Sequence, residues 1–358
     1  MDTLYKHYSS LKESNYEISI DTDNLFSSNE TRLNCCDFIN KHFIKGNKKK
    51  VFAIPQNYMN TYLENGKHQH TVSLYLFGLL LKKKFNVLLR KNMQKLFDVK
   101  SWYEFEYTWY LTCLYHDVTS VIERIDDVRH NYRKDQVRNS QLFDFDEKIL
   151  RFSKETYFNY LKYRYNNNRI EHGLIAGTEL FDRLYESFVQ KTAGHDWTKS
   201  KTHKKENLIW RKEHLPHFAY ISDAICCHNI WLVNCMDKEK VKEYRNNGLD
   251  ELIVKSDADK LNLADYPLQY LLCLLDTIEP IKRFKNLSAD TVLKNIYFDI
   301  MKEKITIAWN PIIKKQPQFF DWLKSISTLS DWMNIKVSEC VHKGDMCQID
   351  IFFDIKYR

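Results

Sequence analysis

The stretch CLYHDV at residues 113–118 sets a histidine and an aspartate side by side within an apolar run. Apolar residues around it recur at intervals of three and four, and this periodicity predicts a helix over residues 102–125 with His116 and Asp117 inside it. Because a buried charge without a partner is costly, the apolar flanks favour a bound counter-charge over a pair on the helix surface. His116 and Asp117 are therefore the first candidates for a metal site.

Four more His or Asp residues lie on other predicted helices. In chain order they are His70 on a helix over 68–89, His172 on 171–188, His228 on 218–233 and Asp276 on 268–279. Successive candidates stand roughly 50 residues apart, which is enough for one helix and its return, so each helix could bring one ligand to a common point in a bundle core.

These residue types suit a metal ion. Neutral imidazoles bind Mn, Fe, Co, Ni or Zn, Mg is possible as well, and carboxylates add negative charge and can bridge two ions. A bridging Asp117 would hold two ions about 3.5–4 Å apart, the spacing used for in-line attack on phosphorus. The pattern thus predicts one or two divalent ions and phosphate chemistry.

The order His, His-Asp, His, His, Asp, with the flanks LYHD, EHG and AICCHN and the terminal PLQYLLCLLD, resembles the HD-domain superfamily of metal-dependent phosphohydrolases. The resemblance spans about residues 67–283 and implies an HD-type helical bundle. It also implies two metal sites, the first formed by His70, His116, Asp117 and Asp276 and the second completed by His172 and His228.

Two features depart from that family's pattern. Many phosphodiesterase-like members follow His-Asp with Gly-Lys, whereas Val118, Thr119 and Ser120 follow here, so a lysine that would bind the phosphate is missing at this place. The segment 191–217 is a long insertion with seven basic and three acidic residues. It is either a solvated surface or a lid or groove for a polyanionic substrate, nucleic acid included.

Some other histidines compete for the ligand positions. His68 competes with His70, because side chains two apart on a helix point to opposite sides, and His217 is an alternative to His228. A second His-Asp pair, at 195–196, lies among polar and basic residues and is expected in a loop.

The surroundings of the ligands are less defined. Arg283 could form an ion pair with Asp276 or contact a phosphate, and we expect it, together with Asp117, to take part in catalysis. Four polar residues could fix the imidazole tautomers from outside the ligand set: Glu123, Glu171, Asp223 and Asn229.

The composition agrees with a folded, helical protein. The chain has 358 residues, of which 44% are hydrophobic, so it can bury a sizeable core and is not disordered as a whole. Eight glycines and six prolines are too few for an all-β sandwich or barrel. No apolar run approaches the ~20 residues of a transmembrane helix, no signal peptide is visible, and nine scattered cysteines indicate reduced thiols. We therefore expect a cytoplasmic protein without membrane contact.

The patterning divides the chain into three parts. They are an N-terminal helical or irregular extension (1–66), the HD-type domain (67–285) and a small appendage (286–358). The appendage is predicted as β-β-α-β-β, ending in a hairpin around residues 343–345. The expected fold class is thus mainly α, an HD-type helical bundle with a small C-terminal α+β appendage.

Together these features predict a metal-dependent phosphohydrolase that cleaves a phosphomonoester or phosphodiester by metal-activated water. A small phosphorylated molecule, a nucleotide above all, is the expected substrate, and the net charge of +7 suits an anionic ligand. Two alternatives use the same residues: a di-iron oxygenase on the same ligand set, and a non-catalytic nucleotide-binding sensor. The sequence leaves the oligomeric state undefined.

Overall fold

The structure is a computed structural model. It describes residues 1–11, 26, 67–97, 105–120, 134–146, 148–169, 171–192, 214–301, 303–343 and 346–353.

The helices begin and end as follows. They are α1 (Leu4–Ser10), α2 (Lys67–Leu80), α3 (Lys82–Phe97), α4 (Phe105–Tyr115), α5 (Leu142–Phe145), α6 (Lys154–Asn166), α7 (His172–Thr192), α8 (His214–Cys227), α9 (Lys238–Asn246), α10 (Pro267–Ile278), α11 (Ala289–Asn295), α12 (Pro311–Lys314), α13 (Phe319–Ser327) and α14 (Leu329–Trp332).

The strands are short, and most of them lie near the C-terminal end. They are β1 (Asp2–Thr3), β2 (Val233–Asn234), β3 (Ile253–Val254), β4 (Ile296–Ile300), β5 (Lys304–Trp309), β6 (Ile335–Val337), β7 (Val341–Lys343) and β8 (Met346–Phe353). The expected fold class, mainly α with a small C-terminal α+β part, is confirmed at this level.

The centre of the bundle consists of helices that are apolar on every side. In α2 every residue from Thr71 to Leu79 is buried, and α4, α8 and α10 are buried along almost their whole length. A helix that is apolar all round must be surrounded by other elements. The predicted metal ligands are therefore placed by the most enclosed helices of the molecule.

Helices α7 and α8 approach each other closely because α7 carries a glycine where they meet. A Cβ atom at Gly177 would lie 2.5 Å from Sγ of Cys226 and 2.5 Å from the carbonyl oxygen of Ser222. Any larger side chain at this position would force the two helices apart.

Several helices end earlier than their periodicity predicts. The helix expected over 68–89 is divided at Leu81 into α2 and α3, and the helix expected over 218–233 ends at Cys227. The prediction that His116 and Asp117 lie inside a helix is wrong, because α4 ends at Tyr115. The amide of His116 still bonds to Thr112, but the next turns are tighter, of the i to i−3 kind.

The C-terminal part is an antiparallel sheet covered by short helices. Its strand order is β1-β4-β5-β8-β6, with β7 also paired to β8. The predicted β-β-α-β-β order is recognisable, but the expected helix is divided into α13 and α14. The strand expected over 335–341 is replaced by β6 and β7, which pair with successive parts of β8.

The N-terminal residues belong to the same sheet. Asp2 and Thr3 pair with Phe298 and Tyr297 of β4, and α1 packs against α11 and β4. Residues 12–66 of the predicted extension, apart from Phe26, lie outside the described residues.

Within the described ranges, no helix combines the length and the apolar character that a membrane crossing requires.

Candidate metal centre

The structure brings all six predicted ligands together. They come from five elements: His70 from α2, His116 and Asp117 from the turn after α4, His172 from the first position of α7, His228 from the residue after α8, and Asp276 from α10. Their ligand atoms form two groups, and within each group all of these atoms lie within 4.8 Å of one another.

The first group surrounds Nε2 of His70. This atom lies 3.0 Å from Oδ1 of Asp276 and 3.2 Å from Nε2 of His116. Nε2 of His116 lies 3.4 Å from the same oxygen of Asp276. Oδ2 of Asp117 completes the group at 3.9 Å from His70 and 3.7 Å from His116.

The second group shares Asp117 with the first. Its other oxygen, Oδ1, lies 3.3 Å from Nε2 of His172. Nε2 of His172 in turn lies 3.2 Å from Nε2 of His228. One carboxylate thus turns one oxygen toward each group, which is the arrangement that a bridging ligand between two ions requires.

The tautomers of three histidines follow from their partners. Nδ1–H donates to Oε2 of Glu279 at 2.7 Å in His70, to the carbonyl of Cys113 at 2.8 Å in His116, and to the carbonyl of Ile225 at 2.6 Å in His228. Since these oxygens only accept, Nε2 of each neutral ring carries the lone pair that faces the cluster.

This donor set fits a cation. With Nδ1 protonated, the two Nε2 atoms of His70 and His116 are both acceptors, and they lie 3.2 Å apart beside the acceptor oxygens of two carboxylates. Acceptors that converge in this way have no hydrogen to share, so a positive charge between them satisfies them best. The cluster could therefore hold a metal ion.

The pKa values of three of the histidines shift in different directions, because carboxylates bond to His70 whereas burial dominates at His116 and His228. Burial depresses the pKa of His70, but its bonds to Asp276 and Glu279 outweigh burial and raise it, so this position favours positive charge. Burial lowers the pKa of His116, and burial with the nearby His172 and His116 lowers that of His228 to about 3. Neutral rings of this kind are the form that binds metals.

Both carboxylates of the cluster are ionised. Burial alone would raise their pKa values, but nearby positive charges outweigh it and hold the pKa of Asp117 and of Asp276 well below the ordinary value. Nζ of Lys67 lies 2.6 Å from Oδ2 of Asp117, and Nζ of Lys282 bonds to Oδ1 of Asp276.

Arg283 lies in the same cavity as the ligands but does not form the ion pair that was considered for it. Asp276 pairs with Lys282 instead. Nε of Arg283 is buried and has no hydrogen-bond partner among the described residues. Because Arg283 is only partly buried and lines the cavity, its guanidinium could contact an anion there.

The competing residues are not part of either group. His68 and His217 are buried elsewhere, and Asp223 accepts from the hydroxyl of Tyr157 at 2.5 Å rather than contacting a ligand. The 195–196 pair, Glu123 and residues 193–213 of the basic insertion lie outside the described residues.

Two of the expected supporting residues do lie beside a ligand. Nδ2 of Asn229 donates to Oε1 of Glu171 at 2.9 Å and lies 3.4 Å from Nδ1 of His172. Thr119, two residues after Asp117, donates its hydroxyl to the carbonyl of His172 at 2.8 Å. These contacts join the turn after α4 to the start of α7.

The sequence interpretation missed three residues of the site, namely Glu279, Lys67 and Lys282. Glu279 is fully buried and directly follows α10, while Lys67 precedes His70 by one helical turn. The only signal in the sequence was a charged residue at the end of a strongly apolar helix, where burial requires a partner.

The cluster opens into a cavity of about 1300 Å³. The cavity is lined by Lys67 and Lys282, which contact the candidate ligands, and by Arg283, Trp231 and Trp332, the last of these from the C-terminal part. This volume is larger than the range of about 300–1,000 Å³ that is usual for ligand pockets.

The chain matches no known family model, no curated protein and no solved structure.

Proposed function

We propose that this protein is an HD-type metal-dependent phosphohydrolase that cleaves a phosphomonoester or phosphodiester, with nucleotides as the leading substrate class. The observation that supports this most directly is the position of Asp117, which turns one oxygen toward each of two groups of imidazole nitrogens. Bound divalent ions would lower the pKa of a water molecule and neutralise charge on the phosphate oxygens.

The residues of the chain divide the remaining work. Asp117, ionised and shared between the groups, orients the attacking water by accepting its hydrogen bond. The guanidinium of Arg283, whose buried Nε lacks a protein partner among the described residues, binds a phosphate oxygen and stabilises the charge that develops there.

The size and lining of the cavity support a substrate larger than phosphate. The cavity continues from the cationic residues around the cluster to Trp231 and Trp332. An aromatic side chain offers a stacking surface for a planar base, and the cations suit the phosphate of the same molecule. This combination favours a nucleotide over a simple sugar phosphate.

The test combines metal analysis with a substrate panel. The purified chain is analysed for bound elements, then assayed with Mn, Co, Ni, Fe, Zn and Mg against phosphomonoesters, phosphodiesters and nucleotides. We expect about two ions per chain and turnover that falls by about 100-fold or more in Asp117→Asn. The matched control is Asp223→Asn, because Asp223 is an equally buried carboxylate outside the cluster.

Other outcomes would favour the alternatives. Two bound irons with cleavage only in the presence of oxygen would indicate an oxygenase on the same ligands. Nucleotide binding without turnover under any metal would indicate a sensor. Full activity in Asp117→Asn would contradict the role that we give to this residue.

A further inference from the structure

Two lysines contact the carboxylate oxygens that face the first ligand group. Lys67 contacts Oδ2 of Asp117, which is the oxygen that faces His70 and His116. Lys282 contacts Oδ1 of Asp276, which lies 3.0 Å from Nε2 of His70. A cation bound by the first group would therefore use the same two oxygens as the lysines.

The lysines and a metal ion are thus competitors. A metal ion coordinates directly to the carboxylate oxygen, and two positive charges on one oxygen repel each other. The ammonium group of lysine ends a flexible four-carbon chain, so it can leave the oxygen while its main chain stays in place. Both lysines also line the large cavity, where a substrate phosphate would lie.

We propose that Lys67 and Lys282 form a phosphate clamp that becomes available when the metal binds. Without metal, each lysine neutralises one ligand carboxylate. With metal bound, the two ammonium groups turn to the phosphate, and they supply the positive charge that the family's Gly-Lys pair would have placed after Asp117. This inference rests on the proposed function, because it assumes a phosphorylated substrate at the cluster.

The proposal makes two predictions that differ in sign. Removing a lysine removes a competitor of the metal, so metal affinity increases. It also removes a partner of the phosphate, so phosphate affinity decreases. A lysine that only stabilises the fold would not change the two affinities in opposite directions.

The experiment uses the full chain, first freed of metal by a chelator. Mn²⁺ is titrated calorimetrically into the wild type, Lys282→Met and Lys67→Met, and inorganic phosphate is then titrated into the Mn²⁺-loaded proteins. In each Met variant we expect Mn²⁺ to bind about 10-fold more tightly. A nearby charge changes the affinity of a carboxylate for a proton by about one pKa unit or more, and we expect a similar factor for the affinity for a metal cation. We expect phosphate to bind about 10-fold more weakly, the loss of one charge-assisted hydrogen bond.

Two further variants serve as controls. Lys260→Met removes a lysine of similar exposure (20% against 17% for Lys282) that pairs with Asp257 outside the cavity, and both affinities should equal those of the wild type. Lys282→Arg keeps the charge and should retain most of the phosphate affinity. If Lys282→Met does not fold without metal, Lys67→Met decides alone, because Lys67 acts on the other carboxylate.

The outcomes separate this inference from the proposed function. Unchanged affinities in both Met variants, with a wild type that binds Mn²⁺ and hydrolyses a phosphoester, would overturn the clamp and leave the hydrolase in place. The opposite shifts without hydrolysis of any substrate would support the clamp and contradict the hydrolase. A wild type that does not bind Mn²⁺ or any other tested cation would overturn both.

Discussion

At the scale of single residues, a histidine becomes a metal ligand only when its other nitrogen is engaged. For His70 this partner is Oε2 of Glu279, whose other oxygen, Oε1, accepts from the hydroxyl of Ser73 at 2.7 Å and the amide of Ile281 at 3.1 Å. The hydroxyl of Tyr8 lies 2.9 Å from Oγ of Ser73. A continuous chain of buried hydrogen bonds therefore extends from α1 to the metal centre.

Glu279→Gln should weaken metal binding without removing a ligand. The amide nitrogen of glutamine must face either His70 or the amide of Ile281, and both already donate to Glu279. Loss of such a supporting partner usually reduces metal affinity about 10- to 100-fold. Calorimetric titration with Mn²⁺ checks this, with Asp223→Asn as the buried control. Equal affinities in the variant and the wild type would contradict the assigned tautomer.

Asp223 should make stability dependent on pH. Burial raises its pKa to about 7, against the ordinary value of 3.8, although the bonds from Tyr157 and Arg151 oppose the shift. The folded state therefore binds more protons than the unfolded state between these two values, and its stability falls as the pH rises from about 4 to 7.

Asp223→Asn removes this dependence. As the pH rises from 4 to 8, the free energy of unfolding of the variant minus that of the wild type should increase by up to about 4 kcal/mol. Urea denaturation at several pH values measures the difference. A constant difference across this range would show that Asp223 does not titrate in it.

The residues of the site differ in how far the sequence could predict them. The six candidate ligands could be predicted because His and Asp within apolar stretches are unusual and because their order resembles a known pattern; the structure brings them together. Glu279 and Lys67 could not be identified, because their roles arise from contacts between residues far apart in the chain. His70 and Glu279, for example, are separated by 209 positions. Lys282 is only six positions from Asp276 but lies beyond the end of α10, where helical spacing no longer predicts which residues meet.

At the scale of elements, two candidate ligands are oriented in the same way by the end of a helix. His116 directly follows α4 and His228 directly follows α8, and each donates Nδ1–H to a carbonyl three residues earlier. The last carbonyls of a helix lack intrahelical partners, and the negative end of the helix dipole favours a cation. The ends of α4 and α8 therefore orient the ligands and contribute to the field at the site.

Apolar periodicity could not predict that α4 and α8 end directly before these histidines. Val118 continues the apolar pattern after α4, and Ile230 continues it after α8, so the sequence gives no sign that either helix stops. Each helix ends where the Nδ1–H of a histidine side chain, instead of the next main-chain amide, donates to one of the last carbonyls of the helix. This replacement depends on the tertiary position of the cluster.

Gly173→Ala should disturb the second ligand group selectively. A Cβ atom there would lie 2.9 Å from the carbonyl of Ile225 and 3.0 Å from Nδ1 of His228, the two partners of the bond that orients His228. We expect the number of bound ions to fall from about two to about one, as measured by elemental analysis. Gly248→Ala, which strains a backbone position with φ of 68° outside both ligand groups, should lose stability but keep both ions.

At the scale of the whole molecule, the candidate metal centre links elements that are distant in sequence. Residues from α2, α7, α10 and the turns after α4 and α8 meet at one point. Ions would bind there only in the folded state. At a free metal concentration of 100 times the dissociation constant, binding would therefore stabilise the folded state by about 2.7 kcal/mol. We expect chelation to lower the midpoint of thermal unfolding by about 5 °C or more, and added Mn²⁺ to restore it.

The same measurement on Asp117→Asn provides the control for this prediction. Because both groups contain Asp117, the variant should show little response to chelator or metal. An equal response in both proteins would place the stabilising ions elsewhere.

The cavity extends beyond the bundle to the C-terminal part, so that part should influence substrate binding. Trp332 of α14 lines the cavity, whereas Phe320 of α13 is 68% exposed and does not. In Trp332→Ala we expect KM for the best substrate to rise about 10-fold with unchanged metal content, as for the loss of one stacking partner. Phe320→Ala is the control, and an equal effect of both substitutions would indicate a general loss of structure.

The pairing of the first residues with β4 has a consequence for biosynthesis. Nε2 of His7 lies 2.8 Å from the carbonyl oxygen of Phe298, although the two residues are 291 positions apart. At ordinary translation rates of about 5–20 residues per second, the ribosome needs roughly 15–60 s to reach Phe298 after it has made His7. During that time the segment around His7 has no sheet to join, so its pairing with β4 forms only after the ribosome has passed Phe298.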